Sequence, residues 1–404
     1  MAKVGRYHVS GLLALAAVAL TAVAVPAFAL GASKTASKSK LSGKLYAQTN
    51  GLSGNQLVVF DRYADGSLKK AQLVSTGGKG GAQEQPGCSA MCPQLDTVSE
   101  VAATPDGSLV FAVNAGSNTI SAFMPKANGV KLVDQVPSEG AFPFSLTIHG
   151  NELYVLNTDS RSIAGFTFSS KGMLEPIAGS VQPLTSDAMP GLSRQIGFDQ
   201  TGKVLVVSLL EPAELDTFVV GAGGAAGPAS ETPSTDTLPF GFAFDKQDQL
   251  VLTQAVSMTM PGNTATYSVS TSTGALTPID TVGSNGAAPC WAVVIPGQRF
   301  VFVVNTGDGA PSGSTVATYA LSSSGALTFV GLSPAVSGEF LKTDEYVTRD
   351  GRYLYVIGHD GSHTEGATDS YIDEYRIATN GLLKFIGATP SAGLAVGLDG
   401  LAGG

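Results

Sequence analysis

Residues 101–123 read Val101-Ala-Ala-Thr-Pro-Asp-Gly-Ser-Leu-Val-Phe-Ala-Val-Asn-Ala-Gly-Ser-Asn-Thr-Ile-Ser-Ala-Phe123. This pattern predicts a strand, an Asp-Gly turn, an apolar strand, an Asn/Gly loop and an alternating strand. A short Gly turn and a fourth strand at residues 131–136 follow it. Four strands in a period of about 45 residues are typical of one blade of a β-propeller.

The same period recurs along the chain. Its second strand is the easiest to recognise, as a short run of Leu, Val, Phe and Tyr at residues 45–48, 109–114, 153–157, 204–208, 250–254, 300–305 and 353–357. The first period lacks an inner strand, and residues 392–398 stand where a last inner strand would fall. We therefore predict an all-β fold: a seven-bladed β-propeller with four antiparallel strands per blade and almost no helix. A C-terminal strand over 392–398 would close the ring and remove an exposed sheet edge.

The N-terminus has the pattern of an export signal. Lys3 and Arg6 precede an apolar run over 11–25, and Ala27-Phe28-Ala29 is a small-x-small cleavage site. The alternative is an uncleaved membrane anchor, for which this run is short. We expect a secreted or periplasmic protein with no membrane contact after cleavage. The predicted organisation is a signal peptide (1–29), a flexible leader (30–43) and the propeller (44–404).

Composition narrows the classes of partner. Charged residues make up 14% of the chain and there are 50 glycines, which suits buried strands joined by tight turns. The net charge is −9, and it becomes −11 once Lys3 and Arg6 leave with the signal peptide. An acidic chain without a Lys/Arg patch is not expected to bind nucleic acid. We expect a monomer that binds a small molecule without a cofactor, with an extracellular protein as the alternative partner.

Three cysteines suit an exported protein with one disulfide and one remaining thiol. Cys88 and Cys92 share a Gly/Pro-rich loop and are predicted to pair with each other, which leaves Cys290. Zinc binding by Cys-x3-Cys is the alternative, but a structural zinc site needs four ligands and no second pair stands nearby. We therefore predict no metal at this loop.

Candidate site residues emerge when the periods are aligned on their turns. Ligands of propellers usually meet the end of the central channel where the inner strands begin and loops converge. Of the six residues that stand six positions before a turn, four are polar or carry a thiol, although their strands are otherwise apolar. The residues six positions before each turn are Glu100, Pro143, Gln195, Gly241, Cys290 and Asp344, and beside them stand Arg194, Phe144, Trp291 and Glu345. The alternative is that these are solvated channel-lining groups without a catalytic role.

A second candidate is the loop after the second strand of blade seven. It contains His359, His363, Glu365 and Asp369, which could bind a metal or transfer a proton near neutral pH. An exposed polar loop is the alternative. His359 could also activate Cys290 as a nucleophile if the two meet, whereas a simply buried thiol is the alternative.

The repeat resembles a known family. Residues 104–123 and 299–306 are similar to the lactonase-type seven-bladed propellers, which include bacterial 6-phosphogluconolactonases and fungal carboxymuconate-lactonizing enzymes. Residues 145–157, 239–245 and 290–294 resemble a secreted bacterial branch described as lactonase-like or 3-carboxymuconate cyclase-like. The resemblance covers nearly all of 44–398. It implies the propeller fold and chemistry on lactones.

The resemblance transfers no catalytic residue. Catalytic members tend to carry a His after the Pro that opens an inner strand, with Arg and Glu from neighbouring blades. Here the matching places hold Pro143-Phe144, Pro239-Phe240 and Pro289-Cys290. Export also argues against 6-phosphogluconolactone, a cytoplasmic metabolite.

Two functional hypotheses follow. The first is a secreted lactonase-like propeller that binds, and hydrolyses or isomerises, a small lactone or carboxylated ring at the channel mouth. Arg194 would then hold a carboxylate or oxyanion, and Glu100, Glu345 or His359 would act as acid or base. The expected substrate-binding residues are Gln195, Trp291, Cys290 and Asp344, with Trp291 as a stacking platform. The alternative is a non-catalytic propeller that binds an extracellular ligand or protein.

Overall fold

The computed structural model describes residues 39–82, 95, 98–127, 129–185, 192–297, 299–307, 314–336, 341–359, 370–391, 394 and 397–404. The predicted signal peptide lies outside these residues. So do Cys88 and Cys92, and three members of the second candidate loop, His363, Glu365 and Asp369. Within the described ranges, no helix combines the length and the apolarity that a membrane crossing requires.

Seven antiparallel sheets, each with four main strands, form the blades. Blade one contains β1 (Leu41–Gln48), β2 (Gln56–Tyr63) and β3 (Leu68–Ser75), and blade two contains β4 (Val101–Ala103), β5 (Val110–Asn114), β6 (Thr119–Lys126) and β7 (Gly129–Pro137). Blade three contains β8 (Pro143–His149), β9 (Glu152–Asn157), β10 (Ser162–Phe168), β11 (Leu174–Pro176) and the short β12 (Gln182–Pro183). Blade four contains β13 (Ser193–Phe198), β14 (Val204–Leu209), β15 (Glu214–Val220) and β16 (Ala226–Pro233).

The remaining blades follow in chain order. Blade five contains β17 (Pro239–Phe244), β18 (Gln249–Gln254), β19 (Pro261–Val269) and β20 (Leu276–Ala287). Blade six contains β21 (Pro289–Val294), β22 (Phe300–Asn305), β23 (Thr315–Leu321) and β24 (Leu327–Leu332). Blade seven contains β25 (Leu341–Val347), β26 (Tyr353–His359), β27 (Ser370–Ile377) and β28 (Leu383–Pro390), and β29 (Asp399–Gly403) returns to blade one. Helical structure in the described chain amounts to one 3₁₀ turn, Ala115–Ser117.

The seven inner strands form a closed ring. Contacts between them run from β29 to β4, β8, β13, β17, β21 and β25, and then back to β29. The predicted seven-bladed propeller with four antiparallel strands per blade is thereby confirmed. The ring places the start of every inner strand at one end of the central channel.

The closing strand lies later in the chain than predicted. It is Asp399–Gly403, not 392–398, and it pairs with β1 through Leu45 opposite Gly403 and Gln48 opposite Asp399. The backbone groups of Lys44 and Gly404 extend this ladder with two further hydrogen bonds of 3.2 Å. Because β1 starts at Leu41, the last part of the predicted flexible leader is a strand. Closure by a C-terminal strand is confirmed, with its position corrected.

The hydrophobic core lies between neighbouring blades. Leu45 and Phe60 of blade one pack with Tyr353 and Tyr355 of blade seven, for example. The second strands are the most buried, and β5, β14 and β26 are buried along their full length. The outer strands β3 and β28 instead alternate between buried or half-buried and exposed residues, as expected for the edge of a sheet. Burial of apolar area between blades therefore holds the ring rigid around the channel.

Asparagines at the ends of second strands pack closely on glycines that precede the inner strand of the same blade. Asn305 is completely buried at the end of β22, and a Cβ built on Gly286 would lie 2.4 Å from its Cγ. A Cβ on Gly140 would likewise lie 2.6 Å from Cγ of Asn157, whose Nδ2 donates to Ser138 O at 2.9 Å. The absence of a side chain at these glycines therefore lets the amides reach the backbone.

A Gly286→Ala substitution tests this packing. We expect the free energy of unfolding to fall by about 2 kcal/mol, since the new methyl group would overlap the buried Asn305 side chain. Gly283→Ala in the same strand is the matched control, because a Cβ there meets nothing within 4 Å. Urea denaturation of both variants measures the difference. Equal stabilities would show that the close approach carries no energetic weight.

Candidate active site at the inner-strand end of the channel

Four of the inner strands are interrupted where candidate site residues lie. The register between first and second strands shifts between Pro143 and Ser145, Ser193 and Gln195, Pro289 and Trp291, and Thr343 and Glu345. Such a bulge leaves one extra residue in the inner strand and changes the direction of its side chain. The extra residues are Phe144, Arg194, Cys290 and Asp344. Glu100 takes the same place in blade two, where its carbonyl accepts a hydrogen bond from Val113 N–H at 3.1 Å.

Blades three to six contribute an arginine surrounded by aromatic rings. The guanidinium carbon of Arg194 lies 5.8 Å from the ring centroid of Phe144 and 5.4 Å from that of Phe240. The ring of Phe240 in turn lies 5.0 Å from that of Trp291. Arg194 and Trp291 are each 1% exposed. Aromatic faces stabilise a cation and leave its charge in place.

Blades seven and two contribute buried carboxyl groups. Asp344 Oδ1 accepts the Glu345 N–H, and its Oδ2 accepts the Leu401 N–H of β29, both at 2.8 Å. Burial raises the pKa of Asp344 to about 7, although these backbone N–H groups oppose the shift. Asp344 therefore exchanges its proton near neutral pH.

Glu345 lies next to Asp344 and is 4% exposed. Burial raises the pKa of Glu345 well above its usual value, the charge of Asp344 raises it further, and the backbone of Val293 offsets only part of this. From the described residues, no hydrogen bond of normal length and angle reaches either carboxylate oxygen. The protonated form of Glu345 is therefore favoured, and in that form the carboxyl group can donate a proton.

Glu100 lies on the other side of β29. Its Oε2 is 3.1 Å from the position that a Cβ on Gly400 would occupy, and the side chain is buried. Leu401, the residue that donates to Asp344, follows Gly400 directly. A glycine at this point thus leaves room for the Glu100 carboxyl group. Glu100 and Asp344 flank the inner strand of blade one, so three acids gather on this side of the channel.

Two predicted site residues are already engaged by the protein. Gln195 Nε2 donates to Phe242 O at 2.9 Å and its Oε1 accepts from Phe242 N–H at 2.6 Å, which ties blade four to blade five. His359 Nε2 lies 3.0 Å from Thr343 Oγ1, and its Nδ1 lies 3.0 Å from Ser370 Oγ. The geometry of both residues is that of structural connections.

The end of the channel is covered, whereas the sequence predicted an open mouth. Val98 and Ser99 precede the inner strand of blade two, yet Val98 N–H bonds to Arg194 O of blade four at 3.4 Å and Ser99 O accepts Leu146 N–H of blade three at 3.0 Å. A Cβ on Gly241 of blade five would lie 3.3 Å from Val98 Cγ2. Val98 and Ser99 therefore cross the channel. None of the eight predicted site residues is more than 7% exposed.

A cavity of about 280 Å³ lies at the opposite end of blades five and six. Its lining combines apolar residues such as Phe244 and Ile295 with the exposed cations Lys246 and Arg299. The lining carboxylate, Asp245, already accepts the N–H groups of residues 247 and 249 at 2.9 and 2.8 Å. This cavity offers no second carboxyl group for proton transfer, so the acids at the channel end form the better catalytic candidate. Across the described ranges, no three His, Cys, Asp or Glu residues are arranged to hold a metal.

The seven blades form a ring, with buried acids and an arginine at one end of its channel. The resemblance noted from the sequence is confirmed, since residues 49–186 match the family model for Lactonase, 7-bladed beta-propeller. No curated protein is significantly similar to the chain in sequence.

Solved structures extend the likeness to most of the chain. A 6-phosphogluconolactonase-like protein of Bacteroides fragilis is 17% identical with a TM-score of 0.66, over 90% of this chain and 98% of that one. A periplasmic gluconolactonase of Pseudomonas aeruginosa is 18% identical with a TM-score of 0.59, over 89% of this chain and 99% of that one. At such identities the likeness shows the fold.

Proposed function

We propose that this chain is a lactone hydrolase whose active site is the inner-strand end of the channel. The observation that carries the proposal is the adjacent pair Asp344 and Glu345, two buried carboxyl groups with raised pKa values, in the same channel end as the buried cation Arg194. Perturbed carboxyl groups of this kind cluster at catalytic sites. The lactonase-type fold supports the same chemistry.

The reaction needs one base, one acid and one positive charge. Asp344 would take a proton from a water molecule, whose oxygen then bonds to the lactone carbonyl carbon. Arg194 would stabilise the resulting oxyanion. Glu345 would give its proton to the ring oxygen as the ring carbon–oxygen bond breaks, which leaves a hydroxy acid. In this scheme Asp344 serves as the base and Glu345 as the acid, two roles for two neighbouring carboxyl groups.

The proposal includes an exported protein that acts on a small molecule. The basic, apolar and small-x-small pattern of residues 1–29 supports secretion or a periplasmic location. The likeness to a protein described as a periplasmic gluconolactonase is consistent with that location.

A ligand-binding propeller without catalysis is the second candidate. The covering of the channel end by Val98 and Ser99 favours it, because the acids and Arg194 are then enclosed rather than exposed to substrate. A rigid ring of blades is equally suited to binding through its outer loops.

The experiment that separates the two candidates is a lactone panel followed by pH-stat. For Arg194→Gln we expect kcat/KM to fall by about 10²–10³, because the oxyanion loses its stabilising charge. Arg352→Gln is the control, since that guanidinium is largely exposed in a turn of blade seven. An absence of turnover by the wild type on every lactone would favour the binding propeller. Equal loss in both variants would remove Arg194 from the mechanism.

A further inference from the structure

Val98 lies across the channel from its own blade. Its side chain is 6% exposed and packs in one apolar cluster with Phe240, Cys290 and Trp291 of blades five and six. These are the aromatic residues and the thiol that surround the candidate site on that side. Through the Val98 side chain, the segment that covers the channel end (Val98 and Ser99) contacts this wall of the candidate site.

The backbone around Val98 is held by blades three and four. Val98 N–H bonds to Arg194 O, and Ser99 O accepts from Leu146 N–H. Ser99 has a φ of 65°, a left-handed conformation that is uncommon for a residue other than glycine and persists when surrounding contacts fix it. The position of Val98 is thus fixed by backbone contacts with two neighbouring blades.

The opposite wall is shaped to accept the Val98 side chain. Gly241 faces it, and a Cβ at that position would lie 3.3 Å from Val98 Cγ2 and 2.4 Å from Cys290 O. Glycine at 241 leaves a recess, and the valine methyl groups fill part of it. The packing of this wall around Trp291 therefore depends on the size of residue 98.

We propose that Val98 is a residue that determines substrate size and access for this site. A ligand that reaches Arg194 must share the channel end with the Val98 side chain, so a smaller residue admits larger rings and a larger one excludes them. The substrate part of this inference rests on the proposed lactone hydrolysis. The access part does not, because Cys290 lies in the same cluster and its thiol reports entry without any reaction of a lactone.

Labelling of Cys290 tests the access part. Native protein is treated with N-ethylmaleimide, and the modified cysteine is located by mass spectrometry of peptides. We expect Val98→Gly to be labelled at Cys290 at least tenfold faster than the wild type, with Val98→Ala between them and Val98→Ile slower. Val110→Ala is the matched control, since Val110 is fully buried in another cluster of blade two. Equal rates for Val98→Gly and the wild type, or equal acceleration by Val110→Ala, would overturn the assignment.

Competition between lactones tests the substrate part. The ratio of kcat/KM for dihydrocoumarin to that for δ-valerolactone is expected to rise at least tenfold in Val98→Ala. An unchanged ratio together with accelerated labelling would overturn the role of Val98 in substrate specificity. Its control of access to the site would still be supported. Accelerated labelling in a protein that hydrolyses no lactone would contradict the proposed function and still support control of access by Val98.

Discussion

At pH 8, Glu345→Gln is expected to make the protein more stable than the wild type. This gain in stability should shrink as the pH falls to 4. Glu345 is buried and accepts no hydrogen bond of normal geometry from the described residues, so its ionised form is strongly disfavoured in the folded state. A carboxyl group whose pKa is raised by folding contributes full stability below its unfolded pKa. That contribution is lost as the pH rises through the folded pKa.

Glutamine has nearly the same shape as the protonated acid and does not ionise. We therefore expect the free energy of unfolding of Glu345→Gln to match the wild type near pH 4 and to exceed it by more than about 1 kcal/mol at pH 8. Urea denaturation at pH 4, 6 and 8 measures this difference. Glu175→Gln is the control, because Glu175 is exposed on β11. A constant difference across the three pH values would contradict the assigned protonation of Glu345.

Glu345→Gln should also lower the kcat/KM of the proposed lactone hydrolysis. As the proposed general acid, Glu345 should contribute about 10²–10⁴ to kcat/KM, and the loss should accompany the gain in stability at pH 8. A functional group that costs stability is expected at an active site and has no purpose in a purely structural position. Full activity in a stabilised Glu345→Gln variant would exclude Glu345 as the acid.

Removal of one partner from the Lys342–Asp373 ion pair is expected to destabilise the protein by about 3–5 kcal/mol. Both side chains are completely inaccessible, Lys342 Nζ contacts Asp373 Oδ2, and the Tyr375 hydroxyl donates to the same oxygen at 3.0 Å. Lys342→Met leaves a buried carboxylate, and Asp373→Asn leaves a buried ammonium group. Either charge would lack its principal counter-ion in a medium where water cannot replace it.

The double variant separates loss of attraction from loss of fold. Lys342→Met with Asp373→Asn removes both charges and keeps an oxygen for the Tyr375 hydroxyl. We expect it to be more stable than either single variant, with a coupling free energy of several kcal/mol in a double-mutant cycle. The exposed pair Arg352–Asp350, 4.0 Å apart, should give a coupling below about 1 kcal/mol. Additive effects at Lys342 and Asp373 would show that the pair contributes nothing beyond its two separate side chains.

Most of the architecture could be predicted because each blade repeats the same turn and strand chemistry. The predicted second strand 300–305 coincides with Phe300–Asn305, and that predicted at 353–357 extends to His359. The closing strand was displaced because 392–398 and Asp399–Gly403 are both rich in Gly, Ala and Leu. Such a composition gives no period-two contrast, so pairing with β1 decides the position.

The site could be predicted in part for a related reason. Counting back six positions from each turn reaches the bulge at Cys290 and Asp344, and in blade four it reaches Gln195, the neighbour of Arg194. This count could not distinguish Asp344 from Gln195, whose amide is consumed by the backbone of Phe242. The covering of the channel by Val98 was not predictable either. The path of a connection between blades depends on contacts with distant strands, which spacing does not reveal.

The pairing of β1 with β29 has a consequence for how the molecule assembles. Six blades consist of neighbouring hairpins, which can form from nearby segments as soon as these are available. Blade one is different, because its sheet must bring Leu45 and Gly403 together from opposite ends of the polypeptide. Closing so long a loop has a large entropic cost, so this pairing is expected to form after the other sheets. The ring is thus expected to close last at this seam and to open there first. Asp344 and Glu100 both lie next to β29, so these acids come together only when the propeller has closed.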